Sequence, residues 1–224
     1  MNSFLEYESR CKEIAQLLSW LEEQTKPQGD STTSRGFGLS SEIDPTLKAS
    51  VLLMLYNLVE GTASAAVAAI KDEIEGSVEP LAAFSNELVL LALGNISRAD
   101  SSEKWHAESV ASPGGGDIVR MALSQRRNYF SGNLNLQALV QIFARFGILL
   151  NSEDIDSSVD YAFRTVHSKR NLLAHGEVSF SNIGRDLTVR ELSTFFESIR
   201  TALDLLVAKV GVYIDRRLFV ANSS

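Results

Sequence analysis

The run Arg170-Asn171-Leu172-Leu173-Ala174-His175 places a guanidinium, a carboxamide and an imidazole within one short stretch of chain. Arginine offers a permanent positive charge and a planar fork that fits phosphate oxygens. Histidine changes charge near neutral pH and can move protons there. Asparagine can orient either one. Together they suit cleavage of an RNA phosphodiester by the substrate's own 2'-hydroxyl, in which base, acid and charge stabiliser can all be side chains. Taken by itself, arginine followed five residues later by histidine is a weak pattern.

The helix that must carry these residues has an apolar stripe at Val159, Phe163, Val166 and Leu173. Arg170 falls in line with that stripe. A buried, unpaired charge costs several kcal/mol, so this arginine needs a partner, a cleft or a subunit interface. An ion pair with Glu60 or Asp160 is the structural alternative. Asn171 and His175, four residues apart, share a helix face. Arg170 and His175 lie about 140° apart on an ideal helix, and border one groove only if the last turn loosens, which Gly176 permits. The helix C-terminus favours a protonated His175 through its dipole.

Other elements follow from the same periodicity. Residues 3–24 read as a helix, and residues 25–44 as a Gly-, Ser- and Thr-rich loop. Asp44-Pro45 starts a long helix to about Ile74, with Leu52, Tyr56, Val59, Ala63, Val67, Ile70 and Ile74 on its apolar stripe. Val51 to Ile70 has the length of a membrane span, but Glu60 and Asn57 interrupt it, and a buried amphipathic helix is expected. Pro80 opens a further helix ending near Ser97. A polar loop covers 98–116, a short helix about 117–127 and a turn 128–135. A helix over 136–146 stops at Gly147. Ser157 with Asp160 caps the helix of the motif, 176–186 is turn-rich, and a last helix spans 187–217. With no long period-2 run, the fold is all-α. Residues 1–44 form an N-terminal helix and flexible linker packing on a helical domain at 45–218, with a loop insertion near 98–116.

The chain has 224 residues, 45% of them hydrophobic and 22% charged, enough for a substantial core. Its formal net charge of -7 excludes a generic basic nucleic-acid coat, though not an enzyme with a local positive cleft. Arg126-Arg127 is a basic pair that reads as a solvated face or the border of such a cleft, and Lys169 beside Arg170 is a further candidate RNA contact. With Cys11 the lone cysteine, and a start that lacks the pattern of a secretion signal, a reducing, cytoplasmic compartment is expected. The glycines at 36–38 and 114–116 lack the trailing Lys-Ser/Thr of a phosphate loop. His106, His167 and Cys11 form no metal-ligand spacing, and no Gly-x-Ser-x-Gly elbow is present. Neither metal nor cofactor is expected.

The Arg170–His175 run resembles the signature of the HEPN superfamily: arginine, four to six residues, histidine, usually with a polar residue after the arginine. Leu55-Tyr56-Asn57-Leu58-Val59-Glu60, Ser131-Gly132-Asn133-Leu134 and the extension from Arg170 to Phe180 are similar to a prokaryotic subgroup of these proteins. The similarity covers roughly residues 45–215. It implies a HEPN-like antiparallel helical bundle with extended loops here, a homodimer, and two Arg/His pairs meeting across a symmetric cleft. It further implies metal-independent endoribonuclease activity, often as a toxin or a phage-defence effector, with a cognate antitoxin or neighbouring-gene product as partner and no membrane. Arg170 would then stabilise the scissile phosphate, His175 act as acid or base, and Asn171 orient one of them. Glu60, where many such proteins carry an acid, would partner Arg170. The alternatives are a non-catalytic interaction module and a regulatory domain that holds a nucleotide without cutting.

Overall fold

The computed structural model describes residues 5–25, 43–77, 79–80, 83–98, 119, 122–123, 129–130, 134–150 and 155–221. These form α1 (Leu5–Thr25), α2 (Ile43–Glu75), α3 (Asn86–Arg98), α4 (Leu136–Ala144), α5 (Ser157–Ala174), α6 (Phe180–Arg185) and α7 (Val189–Asp215). Among the described residues there is no strand, only an isolated antiparallel bridge between Phe84 and Val220. The all-α reading holds.

The long α2 is the hub, packing against α1, α5, α6 and α7. Every residue of its expected stripe is buried, from Leu52 to Ile74. α2 is long and apolar enough to cross a membrane by length and composition. Within the bundle its apolar face is occupied by the four neighbouring helices. α1 joins the same core through Tyr7, Cys11, Ile14, Leu18 and Leu21.

The structure corrects several local expectations. The helix expected from Pro80 opens at Asn86 instead. Residues 83–85 are held by the C-terminal segment: Ser85 N–H donates to Phe219 C=O at 2.8 Å, and Ala221 N–H donates to Ala83 C=O at 2.7 Å. Ser85 Oγ then accepts from Leu88 N–H at 3.3 Å and caps α3. At the start of α5 the cap is Asp156, not Ser157. Its carboxylate accepts from both Ser158 and Val159 N–H, two helix-end donors that a hydroxyl at 157 would not both satisfy. The 176–186 stretch contains α6, capped by Ser179. Gly184 lets α6 cross close over α2, because a Cβ there would stand 1.7 Å from Pro45 O. α7 begins with a full capping box between Thr188 and Glu191.

Apart from Thr25, Ile43, Asp44 and Arg98, which are helical, the loops expected at 25–44 and 98–116 lie outside the described residues. So does most of the short helix expected over 117–127, of which Val119, Ala122 and Leu123 are helical and buried.

Candidate functional site

α5 carries the motif, and its burial pattern explains the placement. Val159, Phe163, Val166 and Leu173 are buried and Arg170 is half-buried in line with them. The arginine is held on two sides. Its guanidinium carbon lies over the Tyr56 ring, 4.4 Å from the centroid, a cation–π geometry. Its Nη1 donates to Asn171 Oδ1 at 3.1 Å.

Tyr56 comes from α2 and is itself pinned. Its hydroxyl accepts the N–H of Leu134 at 3.3 Å. Leu134 is the described residue of the Ser131–Leu134 stretch, and through this bond it meets Tyr56. Burial pushes the Tyr56 phenol above its usual value. The Leu134 hydrogen bond opposes that shift, the Glu60 carboxylate adds to it, and Arg170 opposes it.

His167 completes the cluster. Its Nε2 lies 3.3 Å from Asn171 Nδ2, and its ring stands 6.3 Å from that of Tyr56. Burial first, and the Arg170 charge second, hold His167 below the usual imidazole range. Sequence reasoning gave this histidine no role. Its spacing carried the signal, since His167 is four residues before Asn171 and three before Arg170, both same-face separations on a helix.

His175 is exposed and ends the helix as its C-cap, at φ -85° and ψ -3°. Gly176 follows in the left-handed region at φ +68°. Gly176 N–H donates to Leu173 C=O and Glu177 N–H to Leu172 C=O, the two bonds of a Schellman motif. The imidazole thus sits on the rim, one turn beyond Asn171, where solvent or a large substrate can reach it.

The structure therefore brings Arg170, Asn171, His167 and Tyr56 together, while His175 stands at the exposed end of the same helix, four residues beyond Asn171. Glu60 is half-buried one turn after Tyr56. It lines a cavity of about 440 Å³ between α1 and α2 with Arg10, Glu13 and Asn57. Lys169 looks toward the start of α7. There Thr188 hydrogen bonds hold the Glu191 carboxyl low, and the Lys169 charge assists them. Arg126 and Arg127 lie outside the described residues. Among the described residues no group of His, Cys, Asp and Glu has the arrangement of a metal site.

The family model described as HEPN_MAE_28990-like HEPN matches residues 2–219. No curated protein and no solved structure matches the chain. The chain belongs to this HEPN family, and the helical bundle is the fold expected of it.

Proposed function

From that membership we propose that the protein is a metal-independent endoribonuclease whose centre is formed by Arg170 and His175. The observation that carries the reading is an arginine already oriented by Tyr56 and Asn171, with an exposed histidine one turn further along the same helix. A guanidinium fixed before the substrate arrives costs no reorganisation when charge develops on the phosphate. The substrate's 2'-hydroxyl attacks the adjacent phosphorus as its proton passes to a base. The bond to the 5'-oxygen breaks, and that oxygen receives a proton. A 2',3'-cyclic phosphate and a 5'-hydroxyl result. Arg170 stabilises the charge gathering on the non-bridging oxygens, Asn171 holds Arg170, and His175 serves as the base or the acid.

A homodimer would supply the complementary proton-transfer group, with two such pairs meeting at a two-fold cleft. In this reading Glu60 balances the charge of Arg170 through the Tyr56 region, and Lys169, Arg126 and Arg127 contact RNA phosphates. The protein acts in the cytoplasm as a toxin or phage-defence effector, restrained by a cognate antitoxin or a neighbouring gene's product.

The test is cleavage of total RNA in excess EDTA, with wild type, Arg170→Ala and His175→Ala compared. Cutting by wild type with a cyclic-phosphate end, and none by either variant, supports the enzyme. Wild-type rates in both variants would sink it.

A second reading has its own observation. Stacked on Tyr56, Arg170 has a purely intramolecular occupation, as expected of a non-catalytic module that binds a partner protein or a nucleotide. A large fall in melting temperature on Arg170→Ala, with no cleavage by wild type, would favour that reading.

A further inference from the structure

The chain Arg170–Asn171–His167 carries a constraint set by which atoms can donate. A guanidinium only donates. The Asn171 atom 3.1 Å from Arg170 Nη1 is therefore the carboxamide oxygen, and the NH2 group is the one that faces His167 Nε2 at 3.3 Å. That NH2 also only donates, so Nε2 must be the bare nitrogen of a neutral ring with its proton on Nδ1. A proton on Nε2 would set two donors face to face. Turning the carboxamide over would relieve that contact but present NH2 to Arg170. The two partners meet opposite ends of the carboxamide, and only one end is an acceptor, so Asn171 cannot accept from Arg170 and from a protonated His167 in one orientation.

We propose that His167 is a positioning residue for Arg170: its unprotonated Nε2 holds the Asn171 carboxamide in the orientation that grips the arginine, and protonation of His167 releases that grip. The proposal rests on reading Arg170 as the phosphate-binding group of a nuclease, and gives that site a pH-dependent control separate from His175.

The surroundings favour the neutral ring. On its own helix Arg164 and Arg170 each stand three residues away; Arg164 is paired with Asp160 at 2.8 Å, and Arg170 is the charge that acts on the ring. From α2 the facing titratable group is Tyr56, with Glu60 acting on the same phenol. α4 contains no charged residue, and on α7 Glu191 responds to Thr188 and Lys169. Burial and the Arg170 charge both oppose protonation. The grip therefore holds at neutral pH and is lost on acidification below the usual imidazole range.

The experiment uses full-length protein labelled with 15N in histidine and arginine. Long-range 1H–15N spectra report the tautomer of His167, assigned through His167→Gln, and the guanidinium signals report hindered rotation of Arg170. The expected result is a bare Nε2 at pH 7 and an Arg170 rotation that frees as His167 titrates. In Asn171→Leu the titration should move upward and Arg170 should rotate faster than in wild type at every pH, with the Tyr56 stacking still in place. An Nε2-protonated tautomer at pH 7, or Arg170 rotation indifferent to the His167 titration, would overturn the proposal.

RNA cleavage gives the second readout. His167→Leu should lower kcat about tenfold, the scale of one lost hydrogen bond to a charged network. His167→Gln can present a carbonyl oxygen near the Nε2 position, an acceptor that does not titrate. It should restore most of kcat and remove part of the acid-side decline. Wild-type kcat and pH profile in His167→Leu would count against the proposal. If wild type cuts no RNA, the nuclease reading fails, and the spectra alone decide whether His167 positions Arg170.

Discussion

Tyr56 supplies Arg170 with a ring face and Leu134 with a hydrogen-bond acceptor, and the two services can be separated. Tyr56→Phe keeps the ring and abandons the buried Leu134 N–H, a loss of about 1–3 kcal/mol in unfolding free energy, with cleavage largely kept. Tyr56→Leu removes the ring as well, so it should lose stability and cleavage together. Denaturant melts alongside rate measurements distinguish the two. Arg170→Lys keeps the charge but not the fork or the stacking plane, and its kcat should fall about 10²–10³-fold if preorganised charge stabilisation is the arginine's task. His167 also leaves a mark on stability. Its folded-state pKa is depressed, so its contribution is fully present above the ordinary histidine value and is lost as pH falls through the folded one. Melts from pH 7 to pH 5 should show wild type losing more stability than His167→Gln, and equal losses would contradict the shift. At this scale the sequence exposed Arg170, because a charge on an apolar stripe is visible from spacing alone. It did not expose Tyr56 as the partner. A tyrosine at a core position reads as packing, and only the crossing of α2 with α5 brings its ring beneath the guanidinium.

Helix ends set where the site stops. The Schellman turn at Gly176 places His175 at the C-cap of α5, exposed to solvent. Open space surrounds Gly176, yet its φ of +68° is one that side chains resist. Gly176→Ala should therefore cost about 1–2 kcal/mol from conformation alone, and should reduce cleavage by displacing the imidazole. Gly184 poses the opposite problem: a methyl there meets the Pro45 carbonyl. Gly184→Ala should cost about 3 kcal/mol, the upper end for overpacking, measured by urea unfolding. Long periodic helices such as α2 and α7 were legible because many residues repeat the same signal. The six-residue α6 was not. It offers too few turns for periodicity, and its Ile183 and Gly184 are set by the face of α2 they cover. The start of α3 was displaced from Pro80 for a related reason, since its neighbours bond to a segment far along the chain.

At the scale of the whole molecule, the motif lies at the C-terminal end of α5, and the proposed enzyme needs that helix end to meet a second copy. Specific activity should then rise with protein concentration and fall on dilution, in step with the dimer fraction seen by sedimentation. Constant specific activity of a sedimenting monomer would remove the shared cleft from the mechanism. The bridge between Phe84 and Val220 has a different consequence. Phe219 is fully buried, and its carbonyl receives the Ser85 amide at the threshold of α3. Residues 219–221 thus act as a latch on the segment that leads into α3. Hydrogen exchange should show the amides of Ser85 and Ala221 opening as one unit. An expression tag appended beyond Ala221 leaves the latch shut, whereas a chain trimmed back to Arg216 releases α3 at a point remote from Arg170.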